Sequence, residues 1–204
     1  MNKSIEREIK DQYAKFFRTE DWLIFKKTAE YYLENASKIL RDDIQFSIEP
    51  LKLLRRNVQK RLYIGIACEL LLKALFLKNR YCINRVKNKR DPNGNFPYRI
   101  NDINIDDFKD DDTLTFNKLM EKLYNIVDFK KDKDVIDKGL RIAKVFRNKE
   151  GHVVVLHHDF DPQNYRDIEA SLIAFYKIAF NQFLRLKFSF GDGEEAVFEI
   201  TNVD

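Results

Sequence analysis

Glycine and proline are scarce in this chain, at six and four in 204 residues, and that shortage weighs against a turn-rich all-β fold. Cysteine is nearly absent too. Cys68 and Cys82 are the two present, and neither has a His or Cys near it at zinc-ligand spacing. They are expected to be buried thiols in a reducing compartment. Glycine-rich phosphate loops, paired cysteines, a zincin motif and a serine nucleophile elbow are all missing. No basic-then-apolar leader opens the chain. The longest apolar run, Ile64 to Leu72, is broken by Glu69 and falls far short of a membrane span. The expectation is a cytoplasmic protein with no cofactor, no metal and no membrane partner.

What the chain has in quantity is aromatic bulk, with 17 Phe and 9 Tyr inside a hydrophobic content of 44%. That supply supports one sizeable all-α domain of long helices with large side chains packed between them. The charge is mild. Lys+Arg 37 against Asp+Glu 33 gives +4, which permits RNA or another polyanion without demanding it.

Met1 to Phe17 has apolar residues at helical spacing (Ile5, Ile9, Tyr13, Phe16, Phe17) and is expected to be a charged amphipathic helix. Thr19 can cap a second helix whose stripe runs from Trp22 through Phe25, Ala29, Leu33 and Ala36 to Leu40. After a connection over Asp42 to Glu49, Pro50 suits the first turn of a long helix reaching about Lys78. Its segment Gly65 to Phe76 is apolar around its circumference except for Glu69 and Lys73, so it belongs at the centre of a helical bundle. Glu69 and Lys73 stand four apart in the order that favours an ion pair. They either form that pair or support a functional site.

From Asn79 to Thr113 the composition shifts. Arg80, Arg85, Lys87, Lys89 and Arg90 form a basic lobe, Asp91 to Asn95 carries turn signals, and Asp102 to Asp112 is acidic. The segment is expected to be an insertion into the helical scaffold. Its basic half offers candidate RNA-binding residues, although a solvated loop would look the same. The acidic half lacks the glycine and closing glutamate of a calcium loop.

Thr115 can cap a helix through Val127, and Asp132 can start the next one. The latter leads through Leu140, Ile142, Ala143, Val145 and Phe146 into a polar cluster, Arg147, Asn148 and His152. The cluster joins a fixed cation, an amide and a side chain that titrates near neutrality. On an ideal helix Asn148 and His152 share a face, while Arg147 lies about 140° round from His152. One regular helix therefore does not aim both at one substrate. Either Gly151 lets the turn distort, or two copies of the helix act together. His157 and His158 precede Asp161-Pro162, which can cap a final helix from about Gln163 to Leu186. The two histidines are ordinary linker residues or auxiliary RNA contacts. The tail from Lys187, with Gly191-Asp-Gly193 as a turn, is expected to be a short β-hairpin or edge strand.

Arg147-Asn148-x-x-x-His152 at the end of an apolar helix, preceded by the Gly65-Ile-Ala-Cys-Glu-Leu-Leu-Leu-Lys-Ala74 stretch, resembles the HEPN superfamily of all-helical domains. The resemblance spans roughly Lys26 to Leu186. It implies a metal-independent endoribonuclease acting as a homodimer, with the two signature helices facing across a composite cleft. Arg147, Asn148 and His152 would be catalytic, and Glu69 and Lys73 supporting. Such proteins serve as toxins paired with a nucleotidyltransferase-like antitoxin, or as antiviral defence effectors. Other members have lost activity and bind RNA or proteins, so a non-enzymatic RNA-binding or protein-interaction domain is the alternative.

Overall fold

The computed structural model describes residues 5, 8, 21–39, 50–86, 97–102, 107–150, 161–188 and 196–203. The amphipathic segment expected over Met1 to Phe17 lies outside them, apart from Ile5 and Glu8. Among the described residues the protein is mainly α, with helices α1 (Trp22–Ser37), α2 (Pro50–Lys78), α3 (Phe116–Lys122), α4 (Lys133–Glu150) and α5 (Pro162–Phe180). Two small antiparallel sheets accompany them: β1 (Asn84–Val86) with β2 (Phe108–Thr113), and β3 (Gln182–Lys187) with β4 (Val197–Asn202). No helix among the described residues is long and apolar enough to cross a membrane.

Local chemistry explains most of the helix boundaries. The Asp21 carboxylate accepts the Leu23 N–H at 2.9 Å at the start of α1, while Thr19, the expected cap, lies outside the described residues. Pro50 opens α2, where its missing N–H costs nothing. Thr115 caps α3 by accepting the Lys118 N–H at 3.4 Å, and a 3₁₀ turn over Leu123–Asn125 continues it. Asp161 caps α5 by accepting the Gln163 N–H at 2.8 Å, with Pro162 in the first turn. The end of α5 differs from the sequence expectation. It stops at Phe180 rather than near Leu186, because Asn181 takes left-handed angles (φ 55, ψ 46) and closes the helix. The chain then alternates, burying Leu184 and Leu186 while Phe183 and Arg185 face out, which is the period of a strand.

The chain falls into two compact units, Met1–Lys26 with Leu71–Ile126, and Lys27–Leu70 with Val127–Asp204. In the first, the last two turns of α2 bury Leu71, Leu72, Leu75 and Phe76 in a core that also holds Ile83, Leu114, Phe116 and Leu119. The charged insertion expected over 79–113 contributes a paired sheet here, with Asn84 opposite Thr113, Val86 opposite Phe108 and an irregularity between. Three successive aspartates are poor strand formers. β2 forms in spite of them, and pairing with β1 holds it.

In the second unit α4 and α5 approach closely. A β-carbon on Gly139 would overlap the Ser171 side chain and sit 2.7 Å from the Asp167 carbonyl oxygen, so only glycine fits. Ser171 is buried, and its hydroxyl donates to the Ile136 carbonyl at 3.0 Å. Aromatic contacts flank the crossing, with Phe129 and Phe175 stacked at 5.7 Å and Phe146 and Tyr165 at 5.8 Å. β3 and β4 pair in regular register from Gln182–Asn202 to Lys187–Val197.

Candidate functional site

The second unit brings two of the sequence-derived residues together. Arg147 lies near the C-terminal end of α4 and Glu69 on α2, and the Arg147 Nε donates to Glu69 Oε2 at 2.9 Å. Gly65, one turn before Glu69, lets the helices meet. A β-carbon there would fall 2.5 Å from Arg147 Cβ and 2.6 Å from its backbone nitrogen. Residues four apart on a helix share a face, so the glycine that admits the α4 backbone and the carboxylate that takes the guanidinium lie along one stripe.

The two side chains differ in exposure, with Glu69 at 13% and Arg147 at 43%. Glu69 engages Arg147 through Nε, and this is the one partner of the Arg147 side chain among the described residues. The guanidinium plane is thus fixed from one edge. Its two Nη groups remain available on the other, in the fork geometry that suits a phosphate. Asn148, beside it, is exposed, and its side chain has no hydrogen bond to another described residue.

The remaining candidates are distributed differently. His152, His157 and His158 lie outside the described residues, as do Lys87, Lys89 and Arg90. Lys73 is buried in the first unit, where its ammonium donates to the Thr113 hydroxyl at 3.2 Å. Arg80 and Arg85 are exposed, also in the first unit. Among the described residues no group of three side chains of metal-ligating type occurs.

Sequence reasoning passed over Lys60 and Arg61, each only 1% exposed. The Lys60 ammonium donates to the Ile39 carbonyl at 3.0 Å and to the Phe188 carbonyl, and lies 5.1 Å from the Tyr165 ring centroid. A signal existed for Arg61. It stands four before Gly65 and eight before Glu69, on the stripe that meets α4. The thiols are inert by comparison. Burial pushes Cys68 up to about 12 and Cys82 up to about 11, so neither is a nucleophile near neutral pH.

No family model, curated protein or solved structure matches the chain.

Proposed function

We propose that this protein is a metal-independent endoribonuclease, with Arg147 and His152 as its reacting pair, working as a homodimer that joins two copies of α4 across one cleft. The observation that carries the reading is the Glu69–Arg147 contact, which orients a half-exposed guanidinium and leaves its Nη edge available for a phosphodiester. Arg147 stabilises charge on the phosphoryl oxygens as the ribose 2′-hydroxyl attacks the adjacent phosphorus. His152 accepts the 2′-hydroxyl proton or donates one to the departing 5′-oxygen. The products are a 2′,3′-cyclic phosphate and a 5′-hydroxyl. Asn148 orients the motif or contacts the backbone phosphate. The biological setting proposed is a toxin with a nucleotidyltransferase-type antitoxin, or an antiviral effector.

The test is cleavage of a mixed RNA pool in EDTA by the wild type, Arg147→Ala and His152→Ala. Loss of about 10²–10⁴ in rate is expected from either substitution. Cleavage should also fail on a target carrying a single 2′-deoxy nucleotide at the cut site. Unchanged cleavage of that target, or full activity in both variants, sinks the reading. Binding without cleavage selects the non-enzymatic RNA-binding alternative.

A further inference from the structure

The first unit carries a second cationic feature with a different geometry. At the end of α2, Arg80 takes a left-handed backbone (φ 62). Its N–H donates to the Leu77 carbonyl at 2.9 Å, and the Tyr81 N–H donates to the Phe76 carbonyl at 2.8 Å. This doubly bonded helix stop usually holds glycine, because any β-carbon strains a left-handed residue. Such strain is often found where the side chain has a use of its own.

Tyr81 then bridges to Arg99 in antiparallel fashion. The flanking bonds run from the Cys82 N–H to the Tyr98 carbonyl at 2.8 Å and from the Ile100 N–H to the Arg80 carbonyl at 3.0 Å. Tyr81 and Arg99 therefore form the close, non-hydrogen-bonded kind of cross-strand pair, with side chains on one face. The Arg99 guanidinium lies 4.9 Å from the centroid of the Tyr81 ring. Arg99 is exposed, its carbonyl accepts the Asp102 N–H at 3.1 Å, and the Tyr81 ring is the one partner of its side chain among the described residues. Lys78, Arg80 and Arg85 are exposed in the same unit, and Asp102, three residues past Arg99, is exposed as well.

We propose that the corner formed by Arg80, Tyr81 and Arg99 binds single-stranded nucleic acid. An unpaired base stacks on the exposed Arg99 guanidinium, which the Tyr81 ring backs at 4.9 Å, and Arg80 takes the adjoining phosphate. A planar cation over a ring accepts any base by its face. In a duplex those faces are buried in the stack, so paired nucleic acid is a poor ligand.

The experiment uses the full chain carrying Arg147→Ala, so that any cleavage of the probe is slowed by about 10²–10⁴ and failure of the ribonuclease reading leaves the result interpretable. The probes are fluorescently labelled oligo(U) and oligo(dT) of about 12 nucleotides and an RNA duplex of similar length, followed by anisotropy. Arg99→Gln should weaken oligo(U) binding about 5- to 100-fold, and the duplex should bind more weakly than oligo(U). Equal affinity for oligo(dT) supports recognition of base and phosphate, while preference for oligo(U) supports the same site and makes RNA its occupant. Arg80→Gly separates function from structure: affinity should fall several-fold while the melting temperature rises by about 2–4 °C as strain is relieved. Unchanged affinity in both variants, or tighter binding of the duplex, overturns the proposal.

Discussion

Arg147 crosses α2 at Gly65 so closely that a β-carbon on the glycine would sit 2.5 Å from Arg147 Cβ and 2.7 Å from its Cα. Two of the three nearest atoms are backbone, which cannot rotate aside. Gly65→Ala must therefore push α4 away from α2, at about 1–3 kcal/mol of stability. The same displacement pulls Arg147 off Glu69. Urea denaturation reads the first effect and RNA cleavage the second. Gly139→Ala is the control, because it forces α4 from α5 at Ser171, eight residues from Arg147. On the proposed function, Gly65→Ala loses more activity than Gly139→Ala at comparable loss of stability. The reverse order would remove the case for Gly65 as the seat of the site.

Glu69→Gln tests the orientation of the guanidinium. With Arg147 at 43% exposure, water screens the pair, and its contribution to stability is about 0–1 kcal/mol. The rate of cleavage should fall by about 10-fold, since a neutral amide holds Nε less firmly than a carboxylate. Arg147→Lys should fare worse than Glu69→Gln, because an ammonium lacks the planar fork that grips a phosphate with two parallel bonds while another edge is held by a carboxylate. A stability loss above about 2 kcal/mol with activity retained would make Glu69 a structural residue instead.

How far the sequence exposed this arrangement depended on whether the signal was local. Pro50, Thr115 and Asp161-Pro162 act within one turn of themselves, and the helices they start are found where they were expected. The end of α5 is not legible in the sequence, because Phe183, Leu184 and Leu186 fit a helical stripe as well as a strand. Asn181 decided it through its backbone angles. β2 was hidden for another reason. Its aspartates carry a loop composition, and only pairing with β1, more than twenty residues away, makes the segment a strand. At the candidate site, Glu69 and Arg147 could each be singled out from their neighbours, but their 2.9 Å contact spans 78 positions. Nothing in the sequence around Tyr81 or Arg99 announces the bridge between them.

Lys60 ties three parts of the second unit together. Its buried ammonium reaches the Ile39 carbonyl just past α1 and the Phe188 carbonyl just past β3, and lies 5.1 Å from the Tyr165 ring centroid on α5. Lys60→Met keeps the length and apolar stem but leaves both carbonyls without this donor. A loss of about 2–4 kcal/mol is expected, measured by urea denaturation. A neutral result would mean that water replaces the ammonium there and that the buried charge holds nothing in place.

Cys68 makes the alkaline limb of stability predictable. Complete burial pushes its thiol from 9.0 up to about 12, and Tyr176 is raised well above 10.0, first by burial and then by Glu30 and Cys68. In the unfolded chain the thiol ionises near 9.0, whereas the folded protein holds its proton until about 12. Below pH 9.0 both states are protonated and the contribution is intact. As pH rises from 9.0 towards about 12, the unfolded state loses its proton first, so stability falls across that window. Cys68→Ala removes this dependence while leaving a small cavity, costing about 1–2 kcal/mol at neutral pH. Its urea midpoint should then decline less steeply than the wild type's above pH 9.0. Parallel declines in the two proteins would show that Cys68 ionises as readily folded as unfolded, which a thiol at 1% exposure should not do.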